Sequence, residues 1–526
     1  MTNSINEILK TDVMLLIGAN TTEAHPVTGY RIKQAVRNGK KLIVADPRKI
    51  ELVRYADLWL RNRPGTDIAL LNGLAHVILR DNIWDQDFVA NRSEGFEQWR
   101  QTVISYTPQR VEQITGVKAD LIKQAAHMYG EAEKATIIYA MGITQHTKGV
   151  HNVFSLANLA ILTGNVGREG TGVDPLRGQN NVQGSCDMGC LPNFLPSYNF
   201  VDSDEARNKF GEYWNTDIPS EVGITVTEMM EGANTGSTEA MYIMGENPVL
   251  SDPDANHVVE ALKNLDFLVV QDIFLTETAE LAEVVLPAVT FAEKEGTFTN
   301  TERRIQRVRQ AVKIESHAKP DWEILVELAN KMGCSWSYPK GPEEIMKEIA
   351  GVTPLYGGIS YERLEEGGLQ WPCPSKDHPG TPYLHANSFS RGKGKFHSVE
   401  HLPAAEEPDE EYPLILSTGR MLYHFHTGTM SRRGRIEKIR PEELMMLHPE
   451  DAGKLGIADL DIVQVESRRG KIKTKVQVTD HVPPGMVFMT FHYKESPANV
   501  LTNNATDPIC KIPELKMAAV RVTKNE

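Results

Sequence analysis

Short apolar runs alternate with longer polar segments of helical periodicity through much of the chain. The runs VMLLIG (13–18) and KLIVADPRK (41–49) predict buried strands, and the stretch between them, ending near Asn38, predicts a helix. Strands that alternate with helices indicate a parallel, wound α/β sheet, which binds ligands at the carboxyl ends of its strands. Gly18 and Asp46 lie at two such ends.

The same pattern occurs a second time, much further along the chain. YIMGENPVL resembles LLIGANTTE, and the glycine precedes an aspartate by 28 positions in the first copy and by 27 in the second. In both copies an asparagine follows the glycine by two positions, and a third strand begins ten positions after the aspartate. The paired residues are Gly18 and Gly245, Asn20 and Asn247, and Asp46 and Asp272.

Such a pair of units has the chemistry of a nucleotide site. Glycine lets the backbone approach a phosphate, asparagine offers donors, and an aspartate at the end of the next strand accepts hydrogen bonds from a ribose or a base. Neither copy contains GxGxxG, so a glycine turn and an aspartate cap explain each half alone. The agreement of the offsets favours a duplicated nucleotide-binding unit.

The pattern changes towards the C-terminus. Proline- and glycine-rich connections follow Gly333, and an acidic stretch (404–413) precedes runs of period two such as YPLILSTGR and GMVFMTFHY, which predict a β-barrel. The predicted domains are a first Rossmann-like domain (1–179), a second with an excursion around 292–320 (180–342), a connecting segment (343–404) and the barrel (405–526).

Composition narrows the classes of partner. The formal net charge of −14 argues against binding to nucleic acid or to an anionic membrane surface. No apolar run approaches the roughly 20 residues of a membrane span, and we expect a cytoplasmic protein. The five cysteines include no CxxC pair, which suits a reducing compartment; Cys186 and Cys190 leave a metal site open, but no metal ligand is predicted.

One arginine stands out in the stretch PLRGQNNVQG (175–184). No acidic residue follows Arg177 before Asp187, and the neutral polar side chains around it suit the lining of a polar cavity. A guanidinium in such a cavity can hold a small carboxylate through two parallel hydrogen bonds. Pairing of Arg177 with a distant acid remains the alternative. His424 and His426 have the spacing of zinc ligands on a strand, but no third ligand is apparent.

Several motifs together resemble one family. LTGNVGREGTGVDPLRGQNNVQGSCDMG, with MGENP, EGTFTN, TGRMLYHFHTGTMSR and ANVLTNNATDP, resembles the catalytic subunits of molybdenum- or tungsten-dependent formate dehydrogenases, in the dimethyl sulfoxide reductase superfamily. The resemblance runs from the first residues to the last, and RGQNNVQGxCDMG is its most specific part. It implies a molybdopterin-oxidoreductase fold with two Rossmann-like units and a double-psi-type β-barrel.

The resemblance also implies a cofactor and its ligands. In that family two molybdopterin guanine dinucleotides hold one Mo or W atom, so each repeated unit would bind one guanosine end. Arg177 matches the arginine that binds and orients formate, and Gln179 matches a neighbour in the catalytic pocket. The implied cofactor contacts are Gly18, Asn20, Asp46, Arg48, Gly142, Gln145, Gly245, Asn247, Gln271, Asp272, Arg420, His424, Asn499 and Lys516.

Some family features are missing from the sequence. Family members begin with a cysteine-rich domain that carries a [4Fe-4S] cluster, followed by a metal-binding cysteine or selenocysteine and a histidine. Only about a dozen residues precede the first strand here, so we expect that this chain follows the catalytic chalcogen and that an in-frame UGA for selenocysteine lies upstream of Met1. The chain alone is then expected to be inactive.

The implied partners are formate and CO2, the iron-sulfur portion, and an electron-transfer subunit that carries iron-sulfur clusters or flavin. Two alternatives stay open: a metal-free structural relative, and another oxidoreductase of the superfamily such as a nitrate reductase. The retained Arg177 and Gln179 speak against the first, and the run RGQNNVQG speaks against the second.

Overall fold

The structure is a computed structural model that describes residues 1–525. Within them, the strands are β1 Val13–Ile17, β2 Lys41–Ala45, β3 Leu58–Leu60, β4 Ser93–Glu94, β5 Ala135–Tyr139, β6 Gly172–Pro175, β7 Phe194–Leu195, β8 Asn199–Phe200, β9 Ala240–Met244, β10 Phe267–Asp272, β11 Val284–Pro287, β12 Gly296–Thr299, β13 Arg304–Val308, β14 Leu369–Gln370, β15 Gly394–Lys395, β16 Leu414–Gly419, β17 Leu444–Leu447, β18 Ile462–Glu466, β19 Lys471–Val478, β20 Met486–Thr490 and β21 Ala518–Lys524.

The α-helices in the same residues are α1 Thr21–Ala24, α2 Pro26–Arg37, α3 Asp67–Arg80, α4 Gln86–Arg92, α5 Phe96–Val103, α6 Pro108–Thr115, α7 Ala119–Gly130, α8 Met141–Thr144, α9 Gly149–Leu162, α10 Val182–Asp187, α11 Asp204–Trp214, α12 Val226–Thr235, α13 Pro248–Ser251, α14 Ala255–Lys263, α15 Asp321–Lys331, α16 Pro342–Val352, α17 Tyr361–Glu365 and α18 Pro449–Leu455. Among the described residues, no helix has the length and apolar character to span a membrane.

The chain divides into two compact units. Unit 1 contains residues 1–178, 250–257 and 383–526, and unit 2 contains residues 179–249 and 258–382. The predicted C-terminal barrel thus belongs to the same unit as the first predicted Rossmann-like domain. The residue ranges of the four predicted domains remain a prediction.

Unit 1 is built on a parallel sheet with strand order β3-β2-β1-β5-β6. All five residues of β1 are buried, because alternate side chains face two cores. Leu15 and Ile17 pack with helices α3, α7 and α9, whereas Met14 and Leu16 pack with α2. A strand buried on both faces reads as an unbroken apolar run, which explains VMLLI.

The C-terminal part of unit 1 is a closed barrel with strand order β16-β20-β17-β19-β18-β21. Its core contains alternate apolar side chains of these strands, among them Leu416, Val463, Val465 and Met489. Because a strand places alternate side chains on opposite faces, the period-two runs in the sequence give this filled interior. The barrel predicted from those runs is confirmed.

Unit 2 contains a parallel sheet with strand order β11-β10-β9 and an antiparallel sheet with strand order β12-β13-β14. One face of the parallel sheet packs against α12 and α14 through Ile243, Leu268 and Val270. The other face is largely exposed: Met244 and Phe267 on it are 48% and 46% accessible.

The two copies of the repeat predicted from the sequence make equivalent backbone hydrogen bonds. Gly18 has φ +56° and donates from its amide to Ala45 O at 3.0 Å. Gly245 has φ +66° and donates to Gln271 O at 2.9 Å. Ala45 and Gln271 both directly precede the paired aspartates, so the two glycine turns are equivalent.

A second equivalence concerns the acid before each third strand. The carboxylate of Asp57 accepts from Leu42 N at 2.9 Å, and that of Glu283 accepts from Leu268 N at 2.6 Å. Leu42 and Leu268 each lie four positions before the aspartate that ends the central strand. Both units therefore join the second and third strands in the same way.

Candidate functional site

The end of β1 meets the start of α8 at two glycines. Gly142 N donates to Gly18 O at 3.0 Å. A Cβ atom built on Gly142 would lie 2.6 Å from that oxygen, which no real side chain tolerates. Only glycine lets the two backbones approach so closely, and this contact brings the predicted residues Gly18 and Gly142 together.

A cavity of about 510 Å³ lies beside the end of β2 in unit 1. Asn20, Glu23, Arg48 and Met446 line it, among others. The Arg48 guanidinium lies 3.7 Å from the centre of the Phe488 ring, and within residues 1–525 it makes no hydrogen bond. The Asn20 amide oxygen accepts from Thr22, while its nitrogen keeps its donors. The cavity therefore offers N–H donors to an anionic or heterocyclic ligand.

Buried charges surround this end of the sheet. Asp46 accepts from Arg48 N at 2.8 Å, and burial raises the pKa of its carboxyl. Lys516 is half-buried and donates to Thr418 O at 2.7 Å; the burial of its amine, aided by the charge of Arg48, lowers its pKa to about 7. A buried lysine of this kind gains from a bound anion, because an anion favours its charged form.

Sequence reasoning missed one acid in this region. Asp67 begins α3, is buried, and has a pKa raised to about 7 by that burial, with Asp46 adding to the shift. Its carboxylate accepts from Asn62 at 3.2 Å. The turn RPGT (63–66) is separated from the end of β3 by two residues and places Asp67 near the carboxyl end of a third parallel strand, and this position was the available signal.

The predicted barrel residues of unit 1 differ in their unused hydrogen-bonding capacity. Arg420 donates to Gly178 O at 3.5 Å, and its buried Nε has no partner among the described residues. Both ring nitrogens of His424 are engaged, by Ser431 and by Arg440 O. Arg420 and Lys516 thus retain donors for a ligand, whereas His424 supports the loop around it.

The side chain of Asn499 is also occupied by hydrogen bonds within the protein. Its amide donates to Leu250 O at 2.8 Å and to Ser251 O at 3.0 Å, and its oxygen accepts from Thr502. These contacts hold the residues 250–257 against the barrel within unit 1. A ligand would find few free donors on Asn499.

The predicted residues of unit 2 also differ in whether protein contacts already occupy them. A Cβ on Gly245 would meet open space, so the glycine turn is accessible from one side. The carboxylate of Asp272 accepts from Ile273 N and Phe274 N. Asn247 is bonded to Thr278 and Glu277.

Gln271 is wholly engaged within unit 2. Its amide nitrogen donates to Asp321 at 2.8 Å, and its oxygen accepts from Tyr242. Gln271 is completely buried as well. In this arrangement the open side of unit 2 is the glycine turn at Gly245, at the end of β9, whereas Asn247 and Gln271 are occupied by protein contacts.

The two predicted catalytic residues belong to different units, Arg177 to unit 1 and Gln179 to unit 2. Arg177 follows β6 in unit 1 and is half-buried, and its carbonyl accepts from His25 at 2.7 Å. Burial raises the pKa of the Tyr139 hydroxyl, and the positive charge of Arg177 partly offsets this rise. Gln179 begins unit 2, is half-buried, and its amide makes no hydrogen bond within the described residues.

Gln145 lies after α8 with its side-chain amide also unbonded among residues 1–525. Its neighbour His146 is buried, with Nε2 3.0 Å from Gly142 O, and burial lowers the pKa of that imidazole to about 4. His146 is therefore a neutral, structural side chain next to Gln145.

The side chains of unit 1 fit an anionic dinucleotide. Three buried or half-buried cations, Arg48, Arg420 and Lys516, keep N–H groups that no described residue uses. Thr21 Oγ1 is also a buried donor without a partner in the same residues. Buried polar groups are nearly always satisfied in native proteins, so this set suits a ligand rich in acceptors. Within residues 1–525, no group of three or more His, Cys, Asp or Glu residues is arranged to hold a metal ion.

Comparison with known proteins gives the family. The molybdopterin oxidoreductase family matches residues 1–331, and the molydopterin dinucleotide binding domain matches residues 414–519. The alpha subunit of F420-dependent formate dehydrogenase from Methanocaldococcus jannaschii is 50% identical over 530 residues, which cover 100% of this chain and 78% of that protein. Formate dehydrogenase H from Escherichia coli is 41% identical and covers 99% of this chain and 74% of that protein.

A solved structure agrees on the fold. Acetylene hydratase from Pelobacter acetylenicus has a TM-score of 0.79 to this chain at 21% identity, covering 99% of this chain and 81% of that one. The two family matches together support a molybdopterin guanine dinucleotide as the cofactor. The chain belongs to the molybdopterin oxidoreductase family, in the group that contains the formate dehydrogenase alpha subunits.

Proposed function

We propose that this chain is the catalytic-subunit portion of a formate dehydrogenase, which converts formate to CO2 or the reverse. The observation that carries the proposal is Arg177, which stands in the run RGQNNVQG at the end of β6. The similarity to formate dehydrogenase alpha subunits over the whole chain supports it.

The proposed cofactor is a pair of molybdopterin guanine dinucleotides with Mo or W. In unit 1, Asn20, Arg48 and Asp46 would hold one guanosine end, and Arg420 and Lys516 would meet the pterin side. In unit 2, the open turn at Gly245 and the carboxylate of Asp272 would hold the other. When bound, this cofactor supplies a metal centre that accepts two electrons and the hydrogen of formate.

The proposed role of the residues of this chain is to bind formate and to orient it. Oxidation of formate breaks one C–H bond and yields CO2, one proton and two electrons. A guanidinium that grips both carboxylate oxygens of formate leaves the C–H bond pointing away from the arginine, in one fixed direction. The side-chain amide of Gln145, in the same unit as Arg177, is a donor of the kind that lines such a pocket, and Gln179 keeps the role that the sequence predicts for it. Arg177 is thus the proposed substrate-binding residue.

The remaining partners are proposals of the same kind. Electrons would leave through a [4Fe-4S] cluster in a portion outside the printed sequence and pass to an iron-sulfur or flavin subunit. The metal-binding cysteine or selenocysteine would also come from outside the printed residues. Formate and CO2 are the proposed small-molecule ligands.

Replacement of Arg177 tests the proposal. In the complete enzyme, Arg177→Ala should lower kcat/KM for formate by about 100-fold or more, because a positioned charge is lost. Arg177→Lys keeps the positive charge but cannot form two parallel hydrogen bonds to one carboxylate, and should recover only part of the activity. The assay is formate-dependent reduction of a viologen dye, with metal and guanine nucleotide measured in the same sample.

Arg100→Ala is the control, because Arg100 is an exposed residue near Glu97 on the outside of α5. It should leave both activity and cofactor content unchanged. If Arg177→Ala lost metal and nucleotide together with activity, Arg177 would be a structural residue and the proposal would fail. Unchanged formate turnover would also overturn it.

A further inference from the structure

The backbone that carries Arg177 is held at three consecutive residues within unit 1. Leu176 N donates to Tyr139 O at 2.8 Å. Arg177 O accepts from His25 Nε2 at 2.7 Å, and Gly178 O accepts from Arg420 Nη1 at 3.5 Å. The bond from His25 is the shorter of the two side-chain contacts, and it reaches the residue whose side chain is proposed to bind substrate.

His25 is itself fixed by its position between two helices. Its amide donates to Thr21 O at 3.0 Å, and its carbonyl accepts from Gly29 N at 2.9 Å. Pro26 then begins α2 with a restricted φ angle. The imidazole therefore projects from a backbone that is anchored on both sides, and a shift at Arg177 would cost the hydrogen bond.

The protonation state of His25 follows from its neighbours. A carbonyl oxygen only accepts, so Nε2 must carry the hydrogen of the bond to Arg177 O. Nδ1 is buried and has no partner among the described residues, so a second proton there would be unsatisfied. Burial, with the positive charge of Arg420 adding to it, lowers the pKa of His25. The ring is neutral and a single donor.

We infer that His25 is a positioning residue, which fixes the Arg177–Gly178 backbone and thereby the direction of the Arg177 guanidinium. The inference rests on the proposed role of Arg177 in binding formate. It assigns a function to His25 that differs from cofactor binding. A shift of about 1 Å at a substrate-binding group can cost about 100-fold in rate, so one backbone contact is sufficient to matter.

Two substitutions separate positioning from packing. In His25→Gln, the side-chain amide nitrogen can take the place of Nε2 and donate to Arg177 O, whereas His25→Leu fills similar space without a donor. We expect His25→Leu in the complete enzyme to raise the KM for formate about tenfold, more than it lowers kcat. His25→Gln should stay within about threefold of the parent, and both should keep their metal and guanine nucleotide.

His76→Leu is the matched control. His76 is half-buried in α3, its Nδ1 lies 3.3 Å from the carbonyl of Val103, and burial lowers the pKa of its ring too. Its loss should leave the KM for formate unchanged. Equal KM values for His25→Leu and His25→Gln, or loss of cofactor from His25→Leu, would overturn the inference.

Arg177→Ala, measured in the same assay, distinguishes the role of His25 from the proposed function of the chain. If Arg177→Ala abolishes formate turnover while both His25 variants behave like the parent, only the role of His25 fails. If Arg177→Ala itself leaves turnover unchanged, the proposed function fails whatever the His25 variants do.

Discussion

At the scale of single residues, unused hydrogen-bonding capacity separates the candidate ligands into two groups. Arg48 and Lys516 keep N–H groups that no residue in 1–525 uses, whereas Asn247 and Gln271 give theirs to neighbours in unit 2. A sequence shows which residue type ends a strand. It does not show that Asp321, 50 positions away, will take up the amide of Gln271.

The paired aspartates carry a prediction at this scale. Asp46→Ala and Asp272→Ala should each reduce the guanine nucleotide bound per chain, because each removes a carboxylate that can accept from a ribose or a base. The measurement is nucleotide released from the purified, complete enzyme by denaturation. Asp120→Ala, at an exposed ion pair with Lys123, is the control. Full nucleotide content in both variants would contradict the assignment of the duplicated units.

At the scale of elements, the sequence predicted the repeat because its offsets are local. Each copy of the repeat is one strand, two helices and the next strand, so a nearly fixed distance from glycine to aspartate survives in the sequence. The contact between Gly18 and Gly142 is different, because it joins β1 to a helix that follows β5. No period in the sequence predicts that pair, and only the three-dimensional packing gives the reason for Gly142.

Gly142→Ala should destabilise unit 1 by about 1–3 kcal/mol, because the added methyl group overlaps Gly18 O in a packed region. Gly39→Ala is the comparison: Gly39 has φ +87° but open space around its Cβ position, so only backbone strain of about 1–2 kcal/mol is added. Urea unfolding followed by circular dichroism measures both. A smaller loss for Gly142→Ala than for Gly39→Ala would refute the steric explanation.

At the scale of the whole molecule, the sequence does not predict which separate stretches of the chain form one compact unit. It also does not predict which charged side chains are buried. Unit 1 combines residues 1–178 with 383–526, since the first sheet and the barrel share one compact body. Composition gave a net charge of −14 but not the position of any charge. Glu443 illustrates the point: it is buried, accepts from Thr490 N, and has a pKa raised to about 7 by burial.

Glu443 predicts a pH dependence of stability. Its folded pKa of about 7 lies above its usual 4.5, so the folded protein holds a proton that the unfolded chain releases between these values. Its contribution is therefore complete below about pH 4.5 and falls as pH rises through 7, by about 3 kcal/mol. Glu443→Gln should flatten the fall in the thermal midpoint between pH 5 and 7. An equally steep fall in the variant would exclude Glu443 as its cause.

Lys516 has a consequence for how the protein acquires its cofactor. With a pKa of about 7, its amine is only partly protonated in a neutral solution before any ligand arrives. A phosphate or pterin that brings negative charge to this position raises the pKa, so the chain must take a proton from the solvent as it binds. Loading should then consume about half a proton per chain at this position near pH 7 and be favoured by mild acid. The heat of binding would vary with the ionisation enthalpy of the buffer, and this variation would disappear in Lys516→Met.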